Sequence, residues 1–174
     1  MYRYRPTKRY DKTLDFIEQH LKESSVILDL GVENALAQKI KALGHEVQNT
    51  HGEDLDTHFS VVYDSKYEVV TAFEILEHLV SPYPLLEAIK ARKLIASIPL
   101  KLWFANAYRS KTDPRDRHYH EFESWQFDWL LEKAGWRIVA REKWTNPGPF
   151  KIGFRPILRW FTPRYYIVYA ERIT

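Results

Sequence analysis

Residues 26–31 read Val26-Ile27-Leu28-Asp29-Leu30-Gly31. An apolar run goes straight into an acid and stops on glycine. A parallel strand buried on both faces reads this way, because neither face alternates with solvent. Upstream, residues 10–23 (YDKTLDFIEQHLKE) place Leu14, Ile17 and Leu21 at helical spacing with charges on the opposite face. Downstream, residues 33–43 repeat that spacing through Leu36, Ile40 and Leu43, and Gly44 suits a helix C-terminus.

The alternation continues along the chain. Residues 45–50 are a weak strand candidate and Tyr67–Phe73 a stronger one. Ser81-Pro82 pairs an N-cap residue with proline at the first helical position, opening a helix to about Lys90. Lys93–Ile98 is an apolar strand closed by Pro99, and Ser124 is placed to cap the helix WQFDWLLEKA that Gly135 ends. Trp136–Trp144 and Tyr165–Arg172 alternate as two further strands. Between them, residues 145–164 hold four prolines and two glycines and predict a long loop. This order predicts an α/β sheet with helices on both faces. Ligands then bind beyond the carboxyl ends of the strands, near the switch in strand order. Those ends are Asp29–Glu33, Asn49–Asp56, Phe73–His78 and the chain from Pro99 onward.

Composition narrows the function classes. The 174 residues suit one domain over 1–174, and 45% hydrophobic with 28% charged residues argues against disorder. The absence of cysteine excludes disulfides, thiol nucleophiles and cysteine-ligated metal. No run approaches the roughly 18 apolar residues of a membrane span. The segment MYRYRPTKRY is charged, unlike a secretory signal, so a cytoplasmic location is expected. The net charge of +3 is uneven: residues 1–10 carry +4, residues 137–174 carry +6, and the middle is −7. Such separation steers an anionic ligand to one face, or simply forms a solvated rim.

The strand ends carry the candidate chemistry. Gly31 lets a ligand approach the backbone where a helix N-terminus follows, and Asp29 precedes it; a loop hydrogen bond and a plain turn are the structural alternatives. Glu74, Glu77 and His78 share one face if their segment is helical, and two carboxylates with an imidazole can hold magnesium or manganese. They can equally pair locally while Ile75 and Leu76 fill the core. The segment Arg115–Phe122 brings histidines to a helix start, where they serve as base or ligand, or bond backbone.

Taken together, these residues resemble the class I S-adenosylmethionine-dependent methyltransferases, above all the broad bacterial small-molecule group. VILDLG is similar to their first-strand motif, YEVVTAFEILEHLVSPYPLLEAI to the fourth strand with its following helix, and IASIPL to the fifth. HYHEFESWQFDWLLEKAGWRIV resembles the approach to the sixth. The resemblance implies a doubly wound, Rossmann-like, seven-stranded sheet, mostly parallel, with Tyr165–Arg172 as the antiparallel last strand. It implies S-adenosylmethionine as cofactor, with Asp29 and Gly31 lining its methionine part and Phe73 and Glu74 beside the reacting methyl group. A small-molecule acceptor with an oxygen or nitrogen nucleophile follows, covered by residues 145–164. A narrower similarity, to the small-RNA 3′-terminal 2′-O-methyltransferases, implies a divalent cation held by Glu74, Glu77, His78 and His120.

The chain departs from that pattern at three places. Glu33 and Ala35 stand where the family's glycine-rich loop has glycine, and no acid ends the second strand. Asn49, or Asp54 or Asp56 from the next loop, is then expected to hold the ribose hydroxyls. The stretch between the second strand and Tyr67 is short for a further helix and strand. Two other readings accompany these departures: a non-catalytic methyltransferase fold, and a nucleic-acid-modifying or nucleic-acid-binding relative using the basic, aromatic-rich ends.

Overall fold

The computed structural model describes residues 7–113, 116–146 and 153–173. The central strands are short and apolar, and the helices packed on them carry an apolar stripe, so these elements stack in three layers. The order is α1 (Thr7–His20), β1 (Val26–Asp29), α2 (Ala35–Ala42), β2 (Glu46–Asn49), β3 (Val69–Phe73), α3 (Pro82–Ala88), β4 (Lys93–Pro99), α4 (Ser124–Lys133), β5 (Trp136–Trp144), α5 (Phe154–Phe161) and β6 (Tyr165–Arg172). Among the described residues the sheet has six strands in the order β2-β1-β3-β4-β6-β5. β1 to β4 pair in parallel, and β6 runs antiparallel between β4 and β5.

Alternation along the strands sorts the core into two halves. Ile27, Val69, Ile95 and Ile167 face α1 and α2, where Phe16, Ile17, Leu36 and Ile40 meet them. Leu28, Val70, Leu94 and Ala96 point the other way, onto Leu85, Leu86, Phe127 and Leu131 of α3 and α4. Helices therefore cover both faces, and the strand order reverses at β1. That switch opens a crevice between the carboxyl ends of β1 and β3.

Four local expectations need correction. The sheet has six described strands rather than seven, because residues 50–68 hold only turns and a 3₁₀ turn at Ser60–Tyr63. Two parallel crossovers need a dozen or more residues each. Part of the expected loop 145–164 is the helix α5; its Pro156 is tolerated because it lies in the first turn. Residues 147–152 of that stretch, including Phe150, lie outside the described residues. Ser81 stands at the α3 N-cap without a side-chain bond; Asp56 serves instead, accepting from the Val80 and Ser81 amides at 2.9 Å each. α4 is capped by Glu123 in a reciprocal box with Gln126, and Ser124 is already helical.

Candidate functional site

The register of the three central strands builds the site. Asp29 lies directly opposite Asn49 on one side and Thr71 on the other. Both neighbours donate to it: Asn49 Nδ2 to Oδ2 at 2.8 Å and Thr71 Oγ1 to Oδ1 at 2.6 Å. Asp29 is only 4% exposed. Burial pushes its carboxyl up to about 6, against the opposing pull of the Thr71 and Asn49 bonds.

Past Asp29 the chain turns at Gly31, whose φ of 118° suits glycine. Its amide donates to Thr50 Oγ1 at 2.7 Å, and a Cβ there would stand 3.3 Å from the Ile75 side chain. Asn34 then caps α2, its Oδ1 accepting from the Leu36 and Ala37 amides. Glu33 stays out of the cavity beside Asp29; its carboxylate pairs with Lys41 at 2.7 Å, and the pair borders the groove beyond Val32. Asn49 donates a second bond to the Gly31 carbonyl at 3.2 Å, which leaves its Oδ1 buried and without a partner.

These residues enclose a cavity of about 160 Å³ lined by Asp29, Gly31, Asn34, Phe73 and Ser97, with Arg9, Tyr10 and Thr13 of α1 forming the far wall. Beyond Val32 lies a more open groove of about 380 Å³ lined by Val47, Asn49, Thr50 and His51. Asp54 borders neither; its Oδ1 accepts the Asp56 amide within its own turn, at 3.1 Å.

Glu74 follows β3 with φ 57°, so the chain leaves the strand by a left-handed step rather than by a helix. Its carboxylate accepts from Ser97 Oγ at 3.0 Å and pairs with Arg9 at 3.3 Å. Burial raises its pKa, and the Arg9 charge opposes that. Arg9 also lies over the Tyr165 ring, 5.6 Å from its centre. The residues signalled least by sequence are thus Arg9 and Tyr10, which look like part of a solvated basic end until α1 folds back over the strand tips.

A 3₁₀ turn at Leu76–His78 brings Glu77 and His78 to a second cluster. Their partner there is His118: one ligand atom from each of the three lies within 4.8 Å of the others. Burial, then the neighbouring charges of His78 and Arg164, push the His118 imidazole down to about 4. Glu74 and His120 stand apart from this cluster. Glu74 turns toward Arg9, and His120 Nε2 lies 3.1 Å from the Val80 carbonyl.

The fold has solved counterparts. A S-adenosylmethionine-dependent methyltransferase from Archaeoglobus fulgidus superposes with a TM-score of 0.67 at 17% identity, covering 98% of this chain and 96% of that one. One from Aquifex aeolicus gives 0.54 at 17% identity, covering 98% and 100%. The [4+2]-cyclase SpnF gives 0.58 at 13% identity, covering 95% and 82%. No protein-family model matches the chain, and no curated protein matches it in sequence. A cyclase among these counterparts means that activity has to be argued from the site. In architecture, the chain has the fold of the class I S-adenosylmethionine-dependent methyltransferases.

Proposed function

We propose that this protein is a methyltransferase that uses S-adenosylmethionine and acts on an oxygen or nitrogen of a small or medium polar acceptor. The observation that carries the reading is Asp29, a buried acid at the switch point that faces the cavity and is held by two neutral donors, while Arg9 across the cavity is paired with Glu74. A chain that had only to fold would continue the apolar run of Ile27 and Leu28 there. The residues present suit the cofactor. Asp29 offers a carboxylate for an ammonium or sulfonium group, the orphaned Asn49 Oδ1 offers an acceptor for a ribose hydroxyl, and Gly31 leaves backbone accessible.

The cavity of about 160 Å³ suits the methionine end alone, since whole small-molecule sites run to roughly 300–1,000 Å³. The groove past Val32 takes the nucleoside, with Asn49 at the junction. When bound, the cofactor supplies an activated methyl group. The protein's own part is to orient and to exclude water, which in the best cases contributes roughly 7–11 kcal/mol. Phe73 and the α1 residues Tyr10 and Thr13 wall off solvent. On the acceptor side, Tyr165 and Arg164 border a second cavity of about 150 Å³ with Asn146, Arg159 and Thr162, under α5.

Calorimetric titration of the purified chain with S-adenosylmethionine and S-adenosylhomocysteine tests the reading. Micromolar binding of both, lost on Asp29→Ala, is the expected result. Absence of heat with a folded protein at high ligand concentration refutes it.

A further inference from the structure

The chain leaves one helix without a core to face. α5 places Phe154, Ile157, Leu158 and Phe161 at i, i+3, i+4 and i+7, which makes one stripe along two turns. The stripes of α1, α2 and α4 pack against the sheet. In α5 no residue is buried, and Phe161 is 80% exposed. Arg155 and Arg159 flank the stripe on the Leu158 side, and the exposed Trp160 flanks it on the Ile157 side.

The helix is held in place although none of its side chains is fully buried. Just past its end the Arg164 amide donates to the Trp144 carbonyl at 2.9 Å, and the Leu100 amide donates to the Arg164 carbonyl at 2.7 Å. These bonds bring the loop after β4 to the same end of the sheet as α5. Leu102 and Arg159 line one cavity there, and the neighbouring Trp103 is 73% exposed. The carboxyl end of β4 therefore presents an apolar, aromatic surface, a feature that marks an interaction site. Charge narrows what meets it. Residues 145–170 hold Lys151, Arg155, Arg159 and Arg164 and no acid.

We infer that α5 seats the protein reversibly on an anionic lipid surface. An amphipathic helix with phenylalanine on its apolar side and arginine along its edge lies in the plane of such a surface, its rings among the acyl chains and its guanidinium groups at the phosphates. Neither the two-turn stripe nor the arginines would hold a protein there alone; together they make the two signals that anchoring takes. Single-stranded nucleic acid fits less well, because the aliphatic Ile157 and Leu158 offer bases no ring to stack on. A second copy would bring the same cations to the surface and no acid to meet them. The surface stands whether or not the chain binds S-adenosylmethionine.

The test floats the full chain with vesicles of equal parts phosphatidylcholine and phosphatidylglycerol, and with vesicles of phosphatidylcholine alone. Binding to the mixed vesicles is expected, at least tenfold weaker on the neutral ones and weakened by salt. The double variant Ile157→Ser with Phe161→Ser should lose tenfold or more in partition coefficient. Arg155→Gln should lose about fivefold, the worth of one cation near an anionic membrane. Tyr63→Ser alters an exposed ring beside the start of β4, at the opposite end of the sheet, and should change nothing. Tryptophan emission should shift to the blue on the mixed vesicles, and less so in Trp160→Phe. Circular dichroism checks folding, and Arg155→Gln serves if the double variant does not fold. No binding of the folded chain to the mixed vesicles overturns the inference. So does equal binding to the neutral vesicles, or undiminished binding in the double variant. A dimer or a single-stranded RNA complex that forms without lipid and is lost in the double variant, while vesicles are not bound, gives the surface another occupant and overturns it too.

Discussion

Replacing Asp29 with asparagine separates what the fold needs from what the site needs. In the folded chain burial holds this carboxyl near 6, against an ordinary value of 3.8. The unfolded chain therefore gives up the proton near pH 4 while the folded chain keeps it to about pH 6. Stability falls as pH rises through that window and levels off above it. Two units at 1.36 kcal/mol each make the loss about 3 kcal/mol. Asp29→Asn removes this loss. It also replaces one of two acceptors by an amide, so either the Thr71 or the Asn49 bond must rearrange, at about 1–2 kcal/mol. The variant is then expected to be about 1–2 kcal/mol more stable than wild type at pH 7 and less stable at pH 4. Urea denaturation of both proteins across pH 4–8 measures this, because other carboxylates titrate equally in the two and cancel in the difference. Parallel stability profiles would refute the reasoning. S-adenosylmethionine affinity should move the opposite way, dropping at least tenfold in the variant and, in wild type, weakening below pH 6 as Asp29 takes up its proton.

Two further perturbations probe the walls of the cleft and the far end of the sheet. Arg9→Gln and Glu74→Gln should each destabilise by about 2–4 kcal/mol, because each strands a mostly buried charge, and the double variant should recover about 1–3 kcal/mol relative to their sum. Simple additivity in chemical denaturation would mean that the pair is not coupled. Arg172→Ala should cost about 2–4 kcal/mol: the guanidinium lies 4.2 Å from the buried Trp136 ring centre and donates to the Ala134, Leu86, Glu87 and Ile89 carbonyls at the end of β6. Lysine should not rescue it, having no planar fork to reach several carbonyls at once, and an unchanged unfolding temperature for either variant would contradict that account.

The parts of the fold that could be read from sequence are those fixed by local pattern. Val26–Asp29 and Val69–Phe73 announce buried strands by continuous apolar character, and the alternation after Trp136 and Tyr165 marks an antiparallel pair. The parts that could not be read depend on contacts between distant segments. Nothing at Asp56 signals that it caps a helix 25 residues on. His118 and His120 flank one tyrosine, so which imidazole turns inward is decided by the Tyr119 and His120 amides docking on the Glu77 carbonyl. α5 carries Phe154, Ile157, Leu158 and Phe161 at helical spacing but is hidden by Pro156 in its first turn and Pro163 just beyond its end, which read as loop.

Three acids near the carboxyl ends of β1 and β3 share one physical problem. Burial raises the carboxyl pKa of Asp29, Glu74 and Glu77 alike, so each opposes folding near neutral pH. The chain meets each differently. Glu74 has Arg9, a partner drawn from α1, and so couples the helix over the cleft to the strand beneath it. Asp29 has two neutral donors and no cation, and Glu77 keeps one carboxyl oxygen buried without a hydrogen-bond partner. A fold under selection for stability alone would replace the last two with the aliphatic residues that surround them. At Asp29 the missing positive charge is the ammonium or sulfonium group that the cofactor brings under the proposed function. Asp29 and Glu74 thus differ in what offsets their burial, an arriving ligand for one and a salt bridge from α1 for the other, and each can be measured without the other.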